Sequence, residues 1–593
     1  MHRPTPEPSG AGARKPPGSA SLWGGLIFRG KAFALRRLRT IGDFKDARPR
    51  RHRIDHGLAG LPVSATIRAR LWTDTPGGPH DRALTAGKIH NLRCAVRSID
   101  GVEVPAGELF SFWAQVGRPS RLRGFVPGRE LREGCMTASI GGGLCQLSNA
   151  LYAAALEAGF EIVERHPHSA IVPGSEAEAG RDATVFWNYL DLRLRAAAPF
   201  RIEAHLSGHE LVVVLRGGVP IAAAPKAVFT PSLRASDCVS CGQSDCRNHT
   251  PDPTAASDAP TAWLIEAPHA EFGAYFASHA GSDDHLFLPT RLGPRGTRWP
   301  ASRCPESTAD VEAMRRRLAV RRAPSGAALQ YLLIESAART ARSFARRLSH
   351  LHTDLVISQS LLPHLWRDNV LQGRHYDVLL DRLPYDRLHE ALDAALAAHP
   401  DSSTLGEFRA PAALVEAERA GLASARRLIT AHLTLAGMQP HRTLLTDWQS
   451  PPPMKARGGG KALLMPASAL ARKGAYALRE ALKGLDTELI VSRQATERAG
   501  FWQDLPVRIL SKDEPMPALA GVVLPALIDH RPEPLLAALA AELPVVATDA
   551  CGLAARPGLT LVGRDDDAAL HGALASLLQR SPSDFLQGPV GNA

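Results

Sequence analysis

The chain is 593 residues long, 45% hydrophobic and 22% charged, with a formal net charge of +11. That length exceeds what one hydrophobic core holds and predicts three or four domains. No apolar run approaches the ~20 residues of a membrane span, and eight cysteines over such a length do not make a disulfide scaffold.

Residues 1–53 carry +10 of the charge, with 13 Lys and Arg against Glu7, Asp43 and Asp46. The remainder is close to neutral, which excludes a nucleic-acid-binding body. Pro- and Gly-rich sequence to about Gly18 predicts a disordered lead-in. Trp23, Leu26, Ile27, Phe28, Phe33, Leu35 and Leu38 then give a basic segment with an imperfect apolar arc. Such a tail either stays solvated or docks weakly on an anionic membrane surface. Its apolar patch is too short and interrupted for a secretory signal. The expectation is a cytoplasmic protein, peripheral to the inner face of the membrane at most.

From about Thr85 to Gly217 helical and extended patterns alternate. Lys88-Ile-His-Asn-Leu-Arg-Cys-Ala-Val-Arg has helical spacing, while Leu109-Phe-Ser-Phe-Trp, Ala183-Thr-Val-Phe-Trp and Leu211-Val-Val-Val-Leu read as strands. Between them, Ile140-Gly-Gly-Gly-Leu-Cys-Gln-Leu-Ser-Asn places three residues free to enter positive φ ahead of a helix. Leu144, Leu147, Leu151, Ala154, Ala155 and Ala158 recur at helical spacing, and Gly159 stands where a C-terminal cap belongs. Cys145 therefore falls in the first turn, where unsatisfied N–H groups and the helix dipole favour a thiolate.

Downstream stand His166 and His168, either side of Pro167, and then Asp182. A cysteine at a helix start, a histidine on a following strand and an acid on the next strand is the layout of cysteine hydrolases and acyltransferases. Here Cys145 is the nucleophile, His168 its base with His166 as substitute, and Asp182 orients the imidazole. The two histidines and Cys145 equally suit a metal site, and a buried small cysteine beside strand-capping histidines is the plain alternative. Cys135 has no comparable context.

Five stretches in order resemble the VanW family: Lys88-Ile-His-Asn-Leu-Arg, Pro105-Ala-Gly-Glu-Leu-Phe-Ser-Phe-Trp, Gly141-Gly-Gly-Leu-Cys-Gln-Leu-Ser, Glu164-Arg-His-Pro-His-Ser and Gly180-Arg-Asp-Ala-Thr-Val. The resemblance covers roughly residues 60–215. VanW proteins accompany some vancomycin-resistance clusters, and many carry peptidoglycan-binding modules outside the membrane. The resemblance therefore names the domain without naming a reaction. With no anchor or export signal read here, it points to cytoplasmic precursors or glycans rather than to mature cell wall.

Residues 218–260 form a polar bridge rich in Ser, Pro, Asp and Ala. Within it Cys238, Cys241, Cys246 and His249 have the spacing that wraps a short loop around one tetrahedral ion. Structural zinc is the first choice and an iron–sulfur cluster the second. Cys304 and Cys551 are isolated.

From about 261 a second architecture begins. Tyr331-Leu-Leu-Ile, Asp354-Leu-Val-Ile, Val378-Leu-Leu and Arg427-Leu-Ile-Thr read as strands among Ala/Arg/Leu-rich helical stretches. After a break at Pro451 to Gly460 come Ala462-Leu-Leu-Met, Glu488-Leu-Ile-Val, Val507-Arg-Ile-Leu, Gly521-Val-Val-Leu and Pro544-Val-Val-Ala. This alternation predicts doubly wound parallel sheets. Arg472 and Lys473, at the end of one strand unit and the start of a helix, suit a diphosphate.

With Asp529, Glu533 and the Pro544 strand, residues 261–585 resemble the retaining glycosyltransferases of GT-B fold. That family brackets its nucleotide-sugar donor with two glutamates. Asp529 and Ala537 occupy the corresponding positions, and Glu542 replaces a usual glycine. The resemblance implies a nucleotide-sugar site with Arg472 and Lys473 on the diphosphate and Asp529 and Glu533 near the sugar, or else a degenerate scaffold.

The expected architecture is an α+β VanW-like domain (54–217) after a basic tail (1–53), then a metal-binding bridge (218–260). Two Rossmann-like α/β domains follow (261–450 and 461–585). The expected role is cell-envelope or surface-glycan precursor assembly, with a nucleotide sugar and a glycan or cell-wall precursor as partners and no nucleic acid. The alternative is a non-catalytic protein that binds glycan or peptide and recruits partners.

Overall fold

The computed structural model describes residues 49–72, 79–132, 135–168, 180–218, 236–237, 260–292, 299–323, 326–492, 497–510, 514–564 and 566–579, with Gly30, Ala34 and Arg37–Arg39. The chain divides into two units, Met1–Ala259 with Gln372–Arg374, and Pro260–Leu371 with His375–Ala593. Among the described residues no helix is long and apolar enough to cross a membrane.

The first unit is mixed α/β. Its elements are β1 (Val63–Arg70), α1 (Pro79–Ile99), β2 (Val102–Val104), β3 (Phe110–Ser111), α2 (Phe112–Val116), β4 (Pro127–Arg132), β5 (Cys135–Ile140), α3 (Cys145–Glu157), β6 (Glu161–Glu164), β7 (Arg193–Arg195), β8 (Phe200–Leu206) and β9 (Glu210–Gly217). An antiparallel sheet runs β1-β9-β8-β2, a small sheet runs β3-β7-β6, and β4 and β5 form a hairpin. On β1 the alternation of Ala65, Ile67 and Ala69 turns one face inward. Helix α3 lies against β1 and β9, and its Leu147, Ala150, Leu151, Ala153, Ala154 and Ala155 are buried. Small alanines let this helix sit at the centre of the core.

Two stretches that read as strands fold otherwise. In Leu109–Trp113 only Phe110–Ser111 is extended, because Ser111 caps α2, its Oγ accepting from Ala114 N at 3.1 Å. In Ala183–Trp187 the strand is absent apart from an isolated bridge between Phe186 and Leu190. Ala183 gives its N–H to Asn149 Oδ1 at 2.8 Å and accepts from Ser148 Oγ at 2.6 Å. With those groups taken by side chains, the residue has nothing left for a ladder.

The second unit holds two parallel sheets. The first contains β10 (Thr261–Leu264), β11 (His285–Leu288), β12 (Glu306–Thr308), β13 (Asp354–Ser358), β14 (His375–Leu379), β15 (Arg427–Thr430) and β16 (Thr443–Leu445). Its helices include α4 (Ala270–His279), α5 (Asp310–Arg322) and α6 (Ala327–Ala345). The second contains β17 (Gly458–Met465), β18 (Leu489–Val491), β19 (Val507–Ile509), β20 (Leu519–Leu524), β21 (Val545–Thr548) and β22 (Leu559–Val562), with α7 (Ala475–Ala481), α8 (Glu533–Ala540) and α9 (Asp567–Leu578).

The orders are β12-β11-β10-β13-β14-β15-β16 and β19-β18-β17-β20-β21-β22. Counted within each sheet, both begin 3-2-1-4-5-6, the doubly wound dinucleotide-fold order, with a reversal beside the first strand. The fold class expected from the sequence is therefore present. Tyr331–Ile334, read as a strand, lies inside α6 instead. Ser336, Ala337, Thr340, Ala341 and Phe344 give that segment its buried face at helical spacing, and its alanines favour the helix.

Candidate active sites

In the first unit, the glycine loop is held against α1 and β4. Gly141 and Gly143 have φ of +80° and +97°, a region that strains other residues. A Cβ on Gly142 would come within 2.3 Å of Gly128 O, and one on Gly143 within 2.1 Å of Lys88 Cγ. Asn91, fully buried, pins the loop. Its Nδ2 donates to Gly142 O and to Val126 O, both at 3.0 Å, and its Oδ1 accepts from Val126 N at 2.9 Å. Lys88 Nζ donates to Leu71 O at 2.7 Å. Burial, aided by nearby Arg129 and opposed more weakly by Asp81, pushes the Lys88 ammonium down to about 7.

This loop delivers Cys145 to the first turn of α3, with its Sγ 3.7 Å from Val185 O. Ser148 and Asn149, one turn on, clamp Ala183 and so hold the chain beside Asp182. Arg165 Nε adds a bond to Asp182 O at 2.6 Å. Asp182 is buried and engages His168 twice. Its Oδ2 accepts from His168 N at 2.5 Å, and its Oδ1 meets His168 Nδ1. Nε2 is then the ring nitrogen left for another partner, and Cys145 is among the groups that stabilise the charged imidazole. Burial alone would lower the imidazole. The hydrogen bonds to Asp182 and Cys145, with their charges, outweigh it and push His168 up to about 10.

The geometry thus brings Cys145, His168 and Asp182 together. Neither His168 nor Asp182 sits on a strand, since His168 follows β6 and Asp182 precedes the irregular 183–185 stretch. His166 goes elsewhere, with its Nε2 3.0 Å from Glu164 Oε1. Arg39, from the basic N-terminal segment, also reaches Glu164, at 2.9 Å through Nη1. Burial would raise the Glu164 carboxyl, but hydrogen bonds from Arg39 and His166 and the nearby arginines hold it below the usual range. Among the described residues no cluster of three metal-ligating side chains occurs. Cys238, Cys241, Cys246 and His249 lie outside the described residues.

In the second unit, Lys473 and Asp529 meet near the carboxyl ends of β17 and β20, where the strand order reverses. Lys473 Nζ is 2.5 Å from Asp529 Oδ1 and 3.0 Å from Ile528 O. Asp529 Oδ2 is buried with no partner. Arg472 lays its guanidinium over the Phe408 ring at 4.7 Å. Glu533, first residue of α8, pairs with Arg531, which also reaches Glu271 at 2.8 Å. Glu542 has a φ of +58°, the backbone that the usual glycine would favour.

A further pair stands at the carboxyl edge of the first parallel sheet. His269, N-cap of α4, places Nε2 3.2 Å from Asp381 Oδ2, just beyond β14. Burial would raise the Asp381 carboxyl. The His269 hydrogen bond, and the charges of His269, Arg382 and Arg531, hold it down at about 2.

Sequence reasoning missed this pair, and it missed the pinning roles of Asn91, Ser148 and Asn149. Those three lie inside motifs already singled out. His269 and Asp381, 112 positions apart, share only the signal that each follows a strand of a doubly wound sheet.

Residues 87–216 match the family model described as VanW like protein. The chain is 34% identical over 130 residues to the uncharacterized protein YoaR of Bacillus subtilis, which is 22% of this chain and 42% of that one. It is 31% identical over 118 residues to the vancomycin B-type resistance protein VanW of Enterococcus faecalis, or 19% of this chain and 43% of that one. It therefore spans less than half the length of either relative.

Among solved structures, sucrose-phosphate synthase from Thermosynechococcus elongatus aligns with a TM-score of 0.36 and 14% identity, over 56% of this chain and 91% of that one. WaaG, a glycosyltransferase involved in lipopolysaccharide biosynthesis, aligns with a TM-score of 0.34 and 14% identity, over 55% and 92%.

Proposed function

We propose that the first unit is a cysteine-dependent acyltransferase or hydrolase, with Cys145 as nucleophile, His168 as acid and base, and Asp182 as the group that orients it. The observation that carries this is the double hold of Asp182 on His168, which leaves Nε2 available, with Cys145 among the groups that stabilise the charged imidazole. A protonated His168 pairs with a Cys145 thiolate. The thiolate attacks an acyl carbonyl, and His168 gives its proton to the departing amine or alkoxide, leaving a thioester. Neutral His168 then takes a proton from water or an acceptor, whose oxygen or nitrogen displaces the sulfur.

One relative is named as a vancomycin-resistance protein, and this directs the search for substrate to cell-wall or surface-glycan precursors. The test is alkylation of Cys145 in the full chain, followed by peptide mass spectrometry from pH 5 to 10. The rate should already be high well below the ordinary thiol value of ~8.5. A rate that climbs only through that value removes the nucleophile assignment.

For the second unit the reading is glycosyl transfer from a nucleotide sugar. The doubly wound order puts Lys473, Asp529, His269 and Asp381 at the strand ends where such folds bind ligands. His269, oriented by Asp381, is the base for an acceptor hydroxyl. Arg472 and Lys473 face the donor diphosphate, with Asp529 and Glu533 near the sugar. A binding scaffold is the second reading, favoured by Ala537 in place of a carboxylate and by the engagement of Lys473 with Asp529. Calorimetry with nucleotide-diphosphate sugars decides, and silence with every common donor leaves the scaffold. In the bridge, Cys238, Cys241, Cys246 and His249 are proposed as a structural zinc staple. Metal analysis of the full chain should then find about one zinc, and none after anaerobic purification would remove it.

A further inference from the structure

Helix α5 turns its apolar residues outward. Val311, Met314 and Leu318 are 62%, 65% and 48% exposed, while the side lying towards the unit is made of Glu312, Ala313, Arg316 and Ala319. At 100° per residue, the three apolar side chains fall within about 60° of one another on the crown of the helix. Arg315 and Arg322 flank this stripe on one side, and Arg317 and Arg321 on the other. Arg317 Nη2 donates to Leu292 O at 2.5 Å, so Leu292, 67% exposed, lies beside the same patch. Core packing explains none of these four apolar side chains.

The carboxylates of the helix are turned to other uses. Glu312 binds Arg315 at 2.8 Å, and Asp310 is engaged by Thr290 and Thr308. The outward face therefore presents arginines and hydrocarbon without an acid.

We propose that α5 docks the second unit onto an anionic lipid surface, with Val311, Met314, Leu318 and Leu292 entering the headgroup boundary. Arg317, Arg321 and Arg322 meet the phosphates, while Arg315 stays with Glu312. The chemistry is that of an interfacial helix lying in the membrane plane. A second copy of the chain fits less well, because a two-fold contact through this face sets arginine against arginine. The inference is independent of both catalytic readings and of the basic N-terminal segment.

The test is flotation of the full chain with phosphatidylglycerol-containing vesicles and with neutral phosphatidylcholine vesicles, alongside Met314→Asp/Leu318→Asp and Arg321→Glu/Arg322→Glu. All four positions are exposed, so the thermal midpoints of the variants should match the parent. The expected result is binding to the anionic vesicles only, weakened by salt and at least ~10-fold lower in both variants. Three outcomes overturn it: equal binding by parent and variants, equal binding to neutral vesicles, or a soluble dimer that the Met314→Asp/Leu318→Asp change dissolves.

Discussion

Asp182 holds His168 at two atoms, and each bond has a separate consequence. The bond to the backbone N–H fixes where the residue stands, and the bond to Nδ1 fixes which ring nitrogen is left for sulfur. Asp182→Asn would preserve the first and damage the second, because an amide stabilises neither the imidazolium nor the required tautomer. The His168 imidazole should fall from about 10 towards its ordinary value, read directly by the pH dependence of its NMR signal. Any turnover should drop by ~10²–10⁴-fold, the range of loss from disabling a triad orienter. His166→Gln serves as the contrast, since that ring is bonded to Glu164 rather than to Asp182. Its effect on Cys145 alkylation should stay within ~2-fold. A His166 variant as damaging as the Asp182 variant would reassign the base.

At the scale of elements, the loop before α3 is shaped by backbone contacts that tolerate no side chain. Gly142→Ala sets a Cβ 2.3 Å from Gly128 O, so strand β4 or the loop must shift. A cost of ~2–4 kcal/mol in urea unfolding of the first unit is expected, with slower alkylation of Cys145. Gly572→Ala, inside α9 with open space around its Cα, should instead stabilise the second unit by ~0.5–1 kcal/mol.

The same distinction explains what could be read from the chain alone. Val522, Val523, Val545 and Val546 are buried in parallel strands, and continuous apolar runs announce them. Cys145, His168 and Asp182 were legible because their motifs follow one another in order. Tyr331–Ile334 reads as a strand but folds as helix, because a four-residue apolar run suits either period and only the alanines around it decide. Ala183–Trp187 has strand composition, yet the backbone of Ala183 is taken by the side chains of Ser148 and Asn149, more than thirty positions away, and Thr184 N donates to His166 O. His269 and Asp381 meet only because β10 and β14 end at the same edge of one sheet, a fact of topology that no local pattern carries.

For the first unit as a whole, His168 and Lys88 pull stability in opposite directions with pH. His168 is raised from 6.5 to about 10. The folded unit therefore keeps a proton that the unfolded chain releases, and this contribution is complete below pH 6.5 and declines as pH rises towards 10. Lys88 is lowered from 10.5 to about 7. Here the unfolded chain holds the extra proton between those values, so stability rises with pH across the same interval. The two slopes, each up to ~1.4 kcal/mol per pH unit, nearly cancel. Above pH 9 the Cys94 thiol, itself raised by burial, adds its own term, so the clean window is pH 7 to 9.

There the difference between variant and parent isolates one group, whatever the Cys145 thiolate and the buried Arg93 add to the parent's own slope. Relative to the parent, Lys88→Met should lose stability progressively as pH rises from 7 to 9, because it removes a group lowered from 10.5 to about 7. Limited proteolysis in urea, reading peptides from residues 145–157 by mass spectrometry, isolates this unit within the full chain. A variant that keeps a constant difference from the parent across that window would mean that Lys88 does not change its proton on folding, and the neutral amine that burial imposes on it would fall.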